Sequence, residues 1–189
     1  MCSTAGMTGF ILALLAALIA GVGARDQAIV AAMAERQGPR PAALLAALLC
    51  AALSAWAAGW AGTISAPLLE PAALRWLVVL AAGLAALELL LLRPGRKPAE
   101  PTASLGAFVI VLLAQQLTDA ARLLIFALAA TSTVPALATL GGMLGGCLTV
   151  VTGWSAGAAL SDWPLGKLRR ILGCGLILMA LLLALQLAL

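Results

Sequence analysis

Apolar residues run through this chain in six stretches, each about as long as the hydrocarbon core of a bilayer is thick. They cover residues 8–33, 41–62, 72–92, 105–129, 135–160 and 168–189, and a helix needs about 20 such residues to cross. Almost the whole chain is used up by them. Of its 189 residues, 64% are hydrophobic and 10% charged, with a mean hydropathy of +1.14. That is more apolar surface than a soluble domain of this size can bury. The expected fold class is all-α: an integral membrane protein with six transmembrane helices. The start, MCSTAGMTGF, has no basic segment and no small-residue cleavage site after its apolar run, so the first stretch reads as a retained helix.

Lys and Arg near span ends stay on the cytoplasmic side, so their distribution predicts the orientation. Arg36, Arg40, Arg93, Arg96, Lys97, Lys167, Arg169 and Arg170 all fall on one side of the six spans; Arg75 alone falls on the other. This bias predicts a multi-pass protein of the cell (inner) membrane with both termini outside. The net charge of +4 then reports topology and contact with anionic lipid, and gives no reason to expect nucleic acid as a partner. Trp56, Trp60 and Trp76 near one boundary and Trp163 near the other suit an aromatic belt.

The remaining basic residues, Arg25 and Arg122, lie within spans one and four, beside Asp26 and Asp119. Charge at bilayer depth costs a few kcal/mol or more and marks a pathway or a partner. The two spans open corresponding halves of the sequence. Residues 1–92 and 105–189 each hold three spans, joined by a proline-containing basic segment, 93–104, which reads as a cytoplasmic linker. Gly21 to Gln27 aligns with Gln116 to Arg122 at an offset of about 95 residues, and near that offset Pro39 meets Pro135 and Leu44 meets Leu140. Because each unit has an odd number of spans, the second crosses in the opposite sense. The expectation is a 3+3 inverted repeat with a substrate site near the midplane between the units.

Gly21 and Gly23 lie one turn before the first charge cluster, where missing side chains allow close packing or a break in the helix. Gln116, Asp119 and Arg122 recur at i, i+3 and i+6, with Gln115 and Thr118 beside them, and predict one polar stripe facing the protein interior. Gly141, Gly142, Gly145 and Gly146 predict a close-packing face on the fifth span. Glu88 reads as an interfacial side chain that snorkels. Cys50, Cys147 and Cys174 fall within apolar helices, as small hydrophobes do, with Cys2 near the start. The chain has no histidine. A metal would therefore be met by oxygen ligands, which favours hard cations such as Mn2+, Ca2+ or Mg2+. No nucleotide-binding loop, nucleophile-base pair or metal-hydrolase helix is present, so neither enzymatic activity nor a resident cofactor is expected.

The stretch Gly21-Val22-Gly23-Ala24-Arg25-Asp26-Gln27 followed by AIVAAMAERQGPRPAALLAALL, and Gln116-Leu117-Thr118-Asp119-Ala120-Ala121-Arg122 followed by LLIFALAA, carry a resemblance over nearly the whole chain. The chain resembles the small six-helix manganese/calcium:proton exchanger family, whose units open with a glutamate-x-glycine-aspartate-basic-threonine motif. Against that pattern Gly23, Arg25 and Gln27 keep the glycine, the basic residue and the final glutamine. Gly21 and Ala24 stand where the family has acids. In the second motif Asp119 keeps the aspartate, while Gln116, Thr118 and Ala120 replace the glutamate, the glycine and the basic residue. The resemblance implies a secondary transporter exchanging a divalent cation for protons, with the bilayer as surroundings and a second copy of the chain as a candidate partner. The residues expected along the pathway are Asp119, Gln116, Gln115, Thr118, Arg122, Arg25, Asp26 and Gln27, with Asp119 and Asp26 as metal ligands. Two other readings stand beside it. The charges could be internal ion pairs, Asp119 with Arg122 or Arg25 with Asp119, in a scaffold that transports nothing. Alternatively, Arg25 or Arg122 could hold the carboxylate of a small organic solute in an exporter.

Overall fold

The computed structural model describes residues 2–37, 40–94 and 104–189. Among these residues all regular structure is helical: α1 (Cys2–Gly21), α2 (Arg25–Gln37), α3 (Pro41–Ser65), α4 (Pro71–Leu91), α5 (Leu105–Leu117), α6 (Ala120–Thr131), α7 (Pro135–Ala156) and α8 (Leu165–Ala188). Short 3-10 turns follow α3 at Ala66–Leu68 and α7 at Gly157–Asp162. Pro41, Pro71 and Pro135 open α3, α4 and α7, where a missing N–H costs nothing and the fixed φ suits the first turn. Most of the linker expected over 93–104 lies outside the described residues.

Four helical segments, Pro41–Leu68, Pro71–Leu91, Pro135–Asp162 and Leu165–Ala188, are long and apolar enough to cross a membrane. The other four helices form two bent pairs, α1 with α2 at 66° and α5 with α6 at 56°, so up to six crossings are possible. This corrects the continuous helices expected over 8–33 and 105–129. The first breaks after Gly21, where Gly23 takes φ 62°, a left-handed conformation that residues with a Cβ rarely adopt. The second breaks at Thr118 and Asp119. There the Thr118 hydroxyl donates back to the carbonyls of Ala114 and Gln115, and Asp119 takes the extended φ/ψ of an N-cap residue. The polar stripe from Gln116 through Asp119 to Arg122 is thus split between two helices.

Element order runs bent pair, long helix, 3-10 turn, helix, and then the same again. The two halves of the chain interlock. α7 packs on α1, α2, α3 and α6, α4 packs on α8, and α6 lies between α3 and α4. The interior is built from small residues. Ala81, Ala82, Ala85 and Ala86 of α4 meet Ala120, Ala121 and Ala127 of α6 and Ala180 of α8 in one cluster. Leu45, Leu49, Leu53, Trp56 and Trp60 line the outside of α3, and the two Trp rings stack at 6.2 Å. Small inside and large outside reverses the usual order of a water-soluble core and suits a hydrocarbon surrounding, where close helix approach drives packing. The expected glycine face on α7 forms: Gly141 and Gly145 meet the α1 backbone at Phe10 and Leu14, and Gly142 meets Ile125 of α6. Cys50, Cys147 and Cys174 are free thiols.

A Cβ at Gly141 would collide with the Phe10 carbonyl, whereas one at Gly83 meets nothing within 4 Å. Gly141→Val is therefore expected to cost at least the ~1–3 kcal/mol of an overpacked core and to lower the unfolding temperature in detergent. Gly83→Ala should leave it unchanged or raise it slightly.

Candidate functional site

The two helix breaks meet. The residues after each break begin a helix, and each brings a carboxylate: Asp26 in the first turn of α2 and Asp119 at the N-cap of α6. Helix N-termini carry unpaired N–H groups and positive partial charge, so an acid there is stabilised without a counter-ion. Asp26 is 3% exposed, and its Oδ1 accepts the Gln27 amide at 2.7 Å. The Gln27 side chain reaches back to accept the Gly23 amide at 2.8 Å and donates to Thr152 of α7 at 3.0 Å. The first break is thereby tied down from both sides.

A chain of side chains links the breaks. Gln116 at the end of α5 is fully buried and donates from Nε2 to Asp26 Oδ2 at 3.3 Å. Its Oε1 lies 3.3 Å from the Ser54 hydroxyl, which also reaches the Ala51 carbonyl at 3.2 Å and can serve one acceptor at a time. Ser54 accepts from Arg122 Nε at 3.1 Å, and Arg122 Nη1 meets Asp119 Oδ2 at 3.4 Å. Asp26, Gln116, Ser54, Arg122 and Asp119 thus form one path through α2, α5, α3 and α6. Although their helix is broken, the residues of the expected stripe still meet, because Ser54 bridges Gln116 to Arg122. The expected Asp119–Arg122 pair is present. Arg25 is exposed and makes no ion pair with Asp119 or any other described residue.

A cavity of about 100 Å³ lies at the breaks, lined by Arg25, Asp26, Glu88, Leu92, Gln115, Thr118 and Asp119. It shares Glu88, Leu92, Thr118 and Asp119 with a larger groove of about 610 Å³ that runs over α6 between α3 and α4, walled by Ala57, Ala61, Leu84 and Phe126. Asp119 and Glu88 therefore stand in the walls of both the polar cavity and the more apolar groove. Of the expected pathway residues, Asp119, Asp26, Arg25, Gln115 and Thr118 line the cavity. Gln116, Gln27 and Arg122 stand behind it as supports. Gly23 belongs to the break, and Gly21 packs on Thr149 of α7. Among the described residues no group of three or more His, Cys, Asp or Glu side chains is close enough to hold a metal ion directly.

Besides Ser54, two residues have roles the sequence did not suggest. Glu88, expected to snorkel, instead accepts the Ala120 amide at 3.2 Å and so caps the N-terminus of α6 from α4. Arg169, expected at a cytoplasmic surface, is 2% exposed. Its Nη1 donates to the Val22 carbonyl at the end of α1 at 2.8 Å, and its Nη2 donates to the Glu88 carbonyl at 3.2 Å. An acid thus completes a helix N-terminus and a cation a helix C-terminus, each matched to the local dipole. Glu88 and Ser54 were findable as single polar residues inside apolar helices; the burial of Arg169 was not, since its neighbours Lys167 and Arg170 are exposed.

Comparison of the chain with protein-family models, with curated proteins and with solved structures gives no match.

Ser54→Ala removes the acceptor for a buried guanidinium and the bridge to Gln116. Its expected cost is about 1–3 kcal/mol, read as a lower unfolding temperature in detergent. Combining it with Gln116→Leu should cost less than the sum of the two single changes, since both cut the same path.

Proposed function

We propose that the chain is a secondary transporter of the cell (inner) membrane that exchanges a small cation, of the Mn2+ or Ca2+ kind, for protons. The observation that carries this reading is the convergence of both helix breaks on one small cavity lined by three carboxylates, Asp26, Glu88 and Asp119. Broken helices at mid-depth leave backbone and side-chain groups that can meet an ion inside an apolar layer, where intact helices leave none. The repeated order of bent pair and two further helices supports a 3+3 inverted repeat crossing six times, and the bias of basic residues to one side of the spans supports both termini outside.

Size and charge favour an ion. About 100 Å³ holds roughly three waters at ~30 Å³ each, too little for most organic solutes. Three acids and one base, Arg25, line the cavity, while Arg122 lines the neighbouring groove and bonds Ser54 and Asp119. Oxygen donors suit a hard cation. Because the carboxylates form no tight cage, the ion keeps part of its water, and weak holding suits transit. Asp119 has the central role. It lies between the polar cavity and the groove over α6 and is shared by both, so a carrier of either cation or proton at this position faces each in turn. Rocking of one half of the chain against the other would alternate that access.

A non-transporting scaffold is the second reading, favoured by the chain of contacts that runs from Asp26 to Asp119, in which only Arg122 Nη2 among the buried side-chain atoms has no partner among the described residues. Proteoliposomes with an imposed pH gradient separate the two. The exchanger is expected to move Mn2+ or Ca2+ only with the gradient, and Asp119→Asn should reduce that flux about tenfold or more, a loss of ~1.4 kcal/mol or above, with elution and helix content unchanged. A well-folded wild type without flux, or a folding defect of Asp119→Asn relieved by Arg122→Met, would instead mark the charges as internal packing.

A further inference from the structure

A separate cavity of about 610 Å³ lies where α8 begins. Its walls include Ala28 of α2, Ser161 of the 3-10 turn after α7, Trp163, and Gly166, Lys167 and Arg170 of α8, and none of its lining residues is acidic. Asp162, the acid next in sequence, is exposed and outside the lining. Two cations thus stand over one hollow, and the helix start adds to them. No side chain caps α8; its Leu165, Lys167 and Leu168 amides donate to the carbonyls of Trp163 and Pro164, while the Gly166 amide has no backbone partner among the described residues. Such an end favours an anion. Beyond the cavity α8 presents an open apolar face. Ile171, Cys174 and Leu178 follow Lys167 at helical spacing and are all exposed, and only 17% of the apolar span of α8 is buried. From Lys167 to Leu178 this face runs about 16 Å at a rise of 1.5 Å per residue, which matches one leaflet of a hydrocarbon core ~30 Å thick. Trp163, 48% exposed, stands beside the charges as rings at a membrane boundary do.

We infer that this cavity binds the headgroup of an anionic phospholipid, with Lys167, Arg170 and the Gly166 amide meeting the phosphate and the acyl chains lying along the exposed face of α8. The volume holds roughly twenty waters at ~30 Å³ each, ample for a phosphate and its glycerol. Basic hollows between membrane helices suit such headgroups. The continuity of charge and apolar face along one helix selects a lipid over a free phosphate, which has no use for the second. A zwitterionic headgroup brings its own cation against Lys167 and Arg170, so an anionic one is preferred. The inference needs α8 to lie in a bilayer and is independent of any cation site at the helix breaks.

The test titrates the full chain in detergent with phosphatidylglycerol, phosphatidylcholine or glycerol phosphate and reads the bound fraction by native mass spectrometry. Wild type should bind phosphatidylglycerol about tenfold more tightly than phosphatidylcholine, and Lys167→Gln with Arg170→Gln should remove that preference. Arg75→Gln, at the opposite side of the spans, should keep it. A Cβ at Gly166 meets nothing within 4 Å, so Gly166→Leu adds bulk to the lining and leaves every charge in place. Its affinity for phosphatidylglycerol should fall severalfold with the unfolding temperature unchanged. A preference that survives the double change would overturn the assignment of Lys167 and Arg170. Wild-type affinity in Gly166→Leu would mark the attraction as surface charge and overturn the cavity. Glycerol phosphate that binds as tightly as phosphatidylglycerol would overturn the lipid in favour of a soluble phosphate ester.

Discussion

A helix interrupted inside an apolar bundle leaves N–H and C=O groups without helical partners, and each that is buried costs a few kcal/mol unless the protein supplies one. Everything around the two breaks follows from that demand. Gln27 turns back onto Gly23, Arg169 crosses from α8 to the end of α1, and Glu88 crosses from α4 to the start of α6. One partner is local, since Gln27 lies four residues from Gly23, while Arg169 and Glu88 come from other elements, so the backbone at the breaks is completed by the packing of α4 and α8 as well as by its own turn. Glu88, which completes the start of α6, also lends the cavity part of its polarity.

Such crossings require helices to lie close together, and the composition provides for it. Alanine and glycine fill the interfaces of α1, α4, α6, α7 and α8, while leucine and tryptophan face outward. A short side chain between helices brings a guanidinium on one within reach of a carbonyl on another. Arg122 shows the result: it lies beside Gly146 of α7 and bonds Ser54 of α3 and Asp119 at the start of its own helix.

Much of this was legible in the residues. Apolar length marked the candidate spans, the pairing of Gly21–Gln27 with Gln116–Arg122 marked the two polar clusters that meet, and Asp26, Asp119, Arg25, Gln115 and Thr118 named most of the cavity lining. The break after Gly21 had a local sign in Gly23. The break at Thr118 had one too, since Thr-Asp before an apolar run is an N-cap signal, but the i, i+3, i+6 spacing of Gln116, Asp119 and Arg122 read equally well as an unbroken stripe. Glu88 and Arg169 were misread because burial near a span end depends on what packs over it.

By itself the sequence determined an all-helical chain with segments suited to a bilayer, and it showed where charge interrupts them, because hydropathy and spacing are local properties. Only the tertiary structure decided which charges face one another, which of them complete helix ends and which line the cavity. These depend on contacts between residues 32 to 147 positions apart, such as Glu88 with Ala120, Ser54 with Arg122 and Val22 with Arg169. Such contacts leave no periodic trace in a single chain, since each is set by how closely small side chains let two helices approach.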